Sequence, residues 1–196
     1  MIIYCATSNP GKLREFQSAA PHHEIRAISL PAPEEHGQTF EEAAAEKAVY
    51  YGAHVDGYLF ADDSGLEVDA LHGAPGVHSA RFSGPDATDA RNNALLLQRL
   101  SGVEHRTARF VCVIALVGAG RLVRTFRGSV EGRILDAPRG AGGFGYDPLF
   151  YYEPFGCTFG EASHEQKMQV SHRGQALRAM FTFLDSDRGR SSSSHL

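Results

Sequence analysis

Short apolar runs alternate with helix-patterned stretches along this chain, and that alternation restricts it to a layered α/β domain. The first run, Ile2–Thr7, ends in Ser8-Asn9-Pro10-Gly11, and helical character resumes at Lys12-Leu13-Arg14-Glu15-Phe16-Gln17. The opening unit is therefore a buried strand, a glycine-containing loop and a helix. Residues 21–38 read as loop with a short strand near Ile25–Leu30. A second helix is expected over Thr39–Tyr51, where Thr39 as N-cap and Glu42 at the third helical position make a capping box. Tyr58–Asp62 reads as a strand running into Ser64-Gly65, residues 72–86 as a long loop, and Ala87–Leu100 as a helix. Arg106–Val117, Arg121–Arg127 and Ser129–Leu135 follow as strands joined by short turns. After a Gly/Pro-rich stretch at 138–148, Gly174–Leu184 is the final helix, and the serine-rich end from Asp187 is expected to be a frayed tail.

The chain has 196 residues, enough for one sizeable core and short for two. A single domain over 1–186 is expected, with 187–196 disordered. A composition of 42% apolar and 21% charged residues excludes a wholly disordered chain and a disulfide scaffold. The formal net charge of -4 argues against a nucleic-acid-binding face but not against a small anion held by a few converging cations. Cys5, Cys112 and Cys157 are odd in number and lack metal-ligand spacing, so they read as thiols in a reducing compartment. With no basic leader and no apolar stretch of membrane length, the expectation is a cytoplasmic protein without membrane contact.

Five segments could carry chemistry. Thr7-Ser8-Asn9-Pro10-Gly11-Lys12 joins a strand end to a helix start, where free backbone N–H groups, the helix dipole and a lysine suit a polyphosphate. It is not a Walker A loop, because Leu13 follows Lys12. An ordinary turn with a solvated lysine is the competing reading. Asp62-Asp63-Ser64-Gly65 places two carboxylates at the end of an apolar strand, costly unless paired or bound to a hard cation such as Mg²⁺. A solvated turn is the rival there. Glu42 and Lys47 share a helix at a spacing that does not put them on one face, and Glu42 is explained by capping alone. Gly143-Phe144-Gly145-Tyr146-Asp147 combines close backbone approach with an aromatic that could stack on a base, or is a Gly-rich turn with a core aromatic. Lys167 and Ser171-His172-Arg173 offer donors for a base carbonyl or for phosphate.

Taken together and in this order, the segments resemble the Ham1-like family of inosine/xanthosine triphosphate pyrophosphatases. The most specific pieces are Ala61-Asp62-Asp63-Ser64-Gly65-Leu66, Gly76-Val77-His78-Ser79-Ala80-Arg81-Phe82 and Gly143-Phe144-Gly145-Tyr146-Asp147-Pro148-Leu149-Phe150. The resemblance implies an elongated mixed β-sheet flanked by helices, two lobes with a central cleft, and a homodimer. It implies that Thr7, Ser8, Asn9, Pro10, Gly11 and Lys12 hold the triphosphate, with Lys47 adding positive charge. Glu42 and Asp63 would bind Mg²⁺, Asp63 also accepting the proton of the attacking water. Ser64 would touch substrate, and Phe144, Gly145, Tyr146, Asp147, Lys167, His172 and Arg173 would form the base pocket. The implied reaction splits the α–β phosphoanhydride of a non-canonical purine nucleoside triphosphate, releasing monophosphate and pyrophosphate. His172 and Arg173 would donate to a 6-oxo group, which adenine lacks. One departure is visible: Ala43 follows Glu42 where the family usually has Asn, so altered hydrogen bonding around Glu42 is expected rather than lost activity. Rival readings are a nucleotide-sensing module without turnover, a pyrophosphatase for other nucleotides, and a structural subunit.

Overall fold

The computed structural model describes the backbone of residues 1–192, with side chains through Asp187. Seven strands form one mixed sheet: β1 (Ile2–Ala6), β2 (Glu24–Ile28), β3 (Tyr58–Val68), β4 (Thr107–Gly118), β5 (Arg121–Ile134), β6 (Phe150–Tyr152) and β7 (Cys157–Thr158). Their order is β2-β1-β3-β4-β5-β6-β7; β1 runs parallel to both neighbours, and every later pairing is antiparallel. The helices are α1 (Pro10–Ser18), α2 (Phe40–Gly52), α3 (Asp89–Arg99), α4 (His164–Val170) and α5 (His172–Ser192).

Strand alternation sorts the core into layers. Phe60, Cys112, Ile114 and Leu116 face α1 and α5, meeting Phe16, Ala176, Leu177 and Met180. The alternate residues Leu59, Ala61, Val113, Ala115 and Val117 face α2, meeting Phe40, Ala44 and Ala48. A third cluster, built on Leu66, Leu96, Phe110, Tyr146 and Phe150, fills the far end of the sheet. These clusters at opposite ends of a long sheet are the two expected lobes.

Several expectations need correction. β3 does not stop at Asp62 but continues to Val68, because β4 pairs with it along its whole length. Arg121–Ile134 is one strand rather than two; Gly128 is not a break but a place where α5 crosses, since a Cβ there would collide with the His172 carbonyl oxygen. The loop expected at 72–86 contains a 3₁₀ turn at Gly76–Arg81. β6 and β7 are too short, at three and two residues, to show a strand period, and α4 is concealed by polar residues. The last helix runs to Ser192, past the expected end at Leu184, and residues 193–196 lie outside the described residues. Among the described residues no helix is long and apolar enough to cross a membrane.

One feature of the topology positions the site. β1 ends at Ala6, paired with Ala61, so β3 has no strand neighbour on that edge from Asp62 onward. The chain leaving β1 turns into the gap, at the carboxyl end of a strand with parallel partners on both sides. Open α/β sheets leave room for a ligand at such a place.

Candidate active site

The turn after β1 is held by its own side chains. Asn9 caps α1, its Oδ1 accepting from the backbone of Gly11 at 2.8 Å and Lys12 at 3.1 Å. Thr7 Oγ1 accepts from the Asn9 amide at 3.1 Å, and Pro10 has no N–H. The expected free amides at positions 9, 11 and 12 are therefore already engaged. What remains for an anion includes the Ser8 hydroxyl, the Asn9 side-chain Nδ2, the Lys12 ammonium and the positive helix end. Gly11 owes its identity to packing: a Cβ there would stand 2.6 Å from the Phe144 ring.

Asp62 and Asp63 point to opposite faces of β3. Asp62, 3% exposed, faces α1 and α5; Lys12 Nζ reaches it at 3.0 Å and Arg173 Nε at 3.4 Å. Burial pushes its carboxyl upward, but Lys12 and Arg173 outweigh burial and hold it well below the usual carboxylate range. Asp63 faces α2. Lys47 Nζ donates to its Oδ1 at 2.8 Å, while Oδ2 is buried with no hydrogen-bond partner. Here burial wins over the Lys47 charge and raises the carboxyl above its ordinary value. Both lysines act on both aspartates, so the loop after β1 and the acidic strand share one field around the open edge of β3.

Behind that edge lies a buried ion network. Lys167, on α4, donates to Glu15 at 2.7 Å and to Asp147 at 2.6 Å. Arg173, on α5, donates to the other Glu15 oxygen and to Ser64 Oγ at 2.7 Å. Glu15, Asp147, Lys167 and Arg173 are each at most 3% exposed. Burial would raise Glu15, yet Arg173 and Lys167 together bring it below its usual value; Asp147 is raised, burial outweighing Lys167. The Phe144 ring lies under both cations, 4.7 Å from Lys167 Nζ and 5.6 Å from the Arg173 guanidinium. His172 stacks on Phe110 at 4.8 Å, and burial, reinforced by Arg173, drives its pKa well below 6.5, so the ring is neutral.

These groups wall a cavity of about 120 Å³. Asn9, Lys12, Ser64, Phe144, Gly145, Tyr146, Asp147, Lys167, His172 and Arg173 all line it. Ser8, Pro10 and Gly11 line an adjoining groove that shares Asn9, Phe144 and Lys167 with the cavity. Asp63 lines a separate recess of about 250 Å³ on the α2 side, with Glu35, Ala43 and Arg81. Thr7 lines neither and serves the turn. Glu42 is exposed, and its Oε2 accepts from the Gln38 and Thr39 backbone in the capping box. Ala43 is buried and packs against Gly37, where a Cβ would strike its amide.

Sequence reasoning left Glu15 out of the site and gave Asp62, part of a candidate segment, no role of its own. Glu15 carries no local signal, because its partners are Lys167 and Arg173 and not a neighbour on α1. Asn93 was also passed over. Its Nδ2 donates to the Gly145 carbonyl at 3.0 Å, and Asp89 accepts the Gly145 amide at 2.8 Å, so α3 grips the Phe144–Asp147 turn.

A mixed-sheet α/β protein with a cation-lined cleft at the open edge of its central acidic strand is the class that fold and site define. The Ham1 family model matches residues 3–183, and the chain belongs to the Ham1 family. A dITP/XTP pyrophosphatase of Syntrophobacter fumaroxidans is 52% identical, over 90% of this chain and 78% of its own. A second dITP/XTP pyrophosphatase, of an Exiguobacterium species, is 48% identical over 92% and 95%. The Staphylococcus aureus Ham1 protein structure superposes with a TM-score of 0.85 at 38% identity, covering 95% of this chain and 100% of that one. A Coxiella burnetii HAM1 protein gives 0.84 at 39%, covering 95% and 99%.

Proposed function

We propose that the chain hydrolyses non-canonical purine nucleoside triphosphates, dITP/ITP and XTP/dXTP, to the monophosphate and pyrophosphate. The observation that carries this reading is the arrangement around the open β3 edge. A donor-rich cavity stands on one side, the Lys12 loop lies at the gap, and Asp63 with a free buried oxygen stands on the other. Relatives of nearly half identity or more bear the matching name.

In this reading the base enters the cavity, where the neutral His172 ring and the Arg173 guanidinium face its 6-oxo edge. Because Arg173 is held by Glu15, Asp62 and Ser64, it is oriented before substrate arrives. Lys12 and Lys47 neutralise phosphate charge that grows as the α–β anhydride breaks. Lys47 occupies one oxygen of Asp63 and leaves the other to orient and deprotonate water. Raised basicity suits that task.

The residues also fit a divalent cation. An unpartnered buried carboxylate oxygen is a hard ligand, and Mg²⁺ needs only one or two carboxylates when phosphates complete its shell. Asp63 and Glu42 would hold Mg²⁺, which supplies charge stabilisation at the phosphates. Glu42 would contribute the oxygen not used in capping.

We further infer one domain over 1–186, a cytoplasmic location and a homodimer. Exposed Val49 and Tyr50 on α2 and Leu122 and Val123 on the contacting β5 support self-association at that face. Light scattering after gel filtration tests it: a monomer at micromolar concentration would end the dimer reading.

The test of function is a panel of nucleoside triphosphates with Mg²⁺, read as pyrophosphate release. A large preference for ITP, dITP and XTP over ATP and GTP is expected. Release from none would leave a binding module.

A further inference from the structure

Arg81 closes the 3₁₀ turn Gly76–Arg81, and none of the roles above uses it. The 3₁₀ turn that carries it is bolted to β3. Ser79 Oγ accepts the Leu66 amide at 2.9 Å and donates to the Gly76 carbonyl at 2.6 Å, while Tyr146 Oη donates to the Ser79 carbonyl at 2.6 Å. Gly65 permits the close approach, since a Cβ there would collide with Gly76 and Ser79. The turn faces two ways: Ser79 and Ala80 line the cavity, and Val77, His78 and Arg81 line the recess that holds Asp63.

Inside that recess Arg81 Nη2 lies 3.0 Å from Glu35, and Glu35 lies 3.7 Å from Lys47, which holds Asp63. Thus one carboxylate from the chain ahead of α2 bridges two cations beside the carboxylate proposed as general base. We propose that Arg81 is a phosphate-binding residue of the substrate site, and that Glu35 occupies its guanidinium, and part of the Lys47 charge, until the polyphosphate displaces it. This inference rests on the pyrophosphatase reading.

The energetics favour exchange. The Arg81 side chain is 58% exposed and that of Glu35 33% exposed, and ion pairs so open to water contribute little. A polyphosphate brings more charge and more oxygens, matched to the planar guanidinium fork. Lys47 stays anchored by Asp63 when Glu35 leaves.

Two variants, Arg81→Gln and Glu35→Gln, separate this from a merely structural ion pair. Steady-state kinetics with ITP and Mg²⁺ should give opposite signs. Arg81→Gln raises KM, and weakens inhibition by inorganic pyrophosphate, about tenfold with kcat little changed. Glu35→Gln lowers KM and tightens that inhibition. Because phosphate and not base is touched, the ITP to GTP preference stays as in the wild type. If Arg81→Gln leaves both constants unmoved, or both variants raise KM with a common fall in Tm, the proposal is overturned. Wild-type protein that releases no pyrophosphate would instead defeat the functional reading. Calorimetric titration of inorganic pyrophosphate into wild type and Arg81→Gln would still judge Arg81, with equal affinities counting against it.

Discussion

Two adjacent carboxylates, Asp62 and Asp63, divide their work by strand alternation. The sequence shows the pair and its apolar setting, and a strand sends neighbouring side chains to opposite faces. It could not show which cations each would meet, because Lys12, Lys47 and Arg173 arrive from distant helices. Glu15 was illegible for the same reason: its partners Lys167 and Arg173 lie more than a hundred residues away. Asp63→Asn should keep inosine triphosphate binding, measured by calorimetry, while turnover collapses by orders of magnitude. Asn keeps an acceptor for Lys47 but removes the charge that holds the buried ammonium, so a modest fall in Tm should accompany the lost turnover. Near-normal turnover would strip Asp63 of its role. A second residue-scale expectation concerns His172. Its folded pKa is depressed below 6.5, so as pH falls through 6.5 the unfolded chain takes up a proton that the folded chain refuses. Stability from this group is therefore full above that pH and declines on acidification, at up to about 1.4 kcal/mol per unit. Urea melts at pH 6.5 and 5 should show a shallower decline for His172→Gln than for wild type; equal slopes would mean that His172 titrates normally in the fold.

At the scale of elements, local signals decided what could be read. The capping box of α2 was legible because Thr39 and Glu42 act within one turn, and both of its hydrogen bonds are present. The first strand, loop and helix were legible for similar reasons. β3 and β5 were misjudged in length because Ser64-Gly65 and Gly128 look like punctuation, whereas both glycines accommodate another element pressed against the sheet. That distinction depends on tertiary packing and has no local signature. Gly128→Ala tests it: the methyl group meets the His172 carbonyl and the first turn of α5, so about 1–3 kcal/mol of stability should be lost in urea titration. Because α5 delivers His172 and Arg173 to the cavity, KM for inosine triphosphate should rise more than kcat falls. A fully stable variant would show that α5 does not press on β5 there.

Across the whole molecule, the ends of the sheet carry separate apolar clusters, and the charges of the site lie between them. Glu15 comes from α1, Asp62 and Ser64 from β3, Asp147 from the turn before β6, Lys167 from α4 and Arg173 from α5. Taking so many ions out of water is unfavourable unless each finds its counterpart, so the network adds less to net stability than to the uniqueness of the arrangement. That makes it brittle to single losses. Asp62→Ala would leave Lys12 exposed enough to rehydrate, at 20% accessibility, but would strand part of the Arg173 charge at 3%. A loss of about 3–5 kcal/mol is therefore expected from chemical denaturation, larger than for the neighbouring Asp63→Asn, which keeps an acceptor for its lysine. Salt separates this from surface electrostatics. Since the network is buried, raising ionic strength to about 1 M, where the Debye length is about 3 Å, should leave the difference between wild type and Asp62→Ala nearly unchanged. A difference that salt abolishes would place Asp62 in solvent-screened contacts, and the picture of a desolvated ionic joint between the lobes would fall with it.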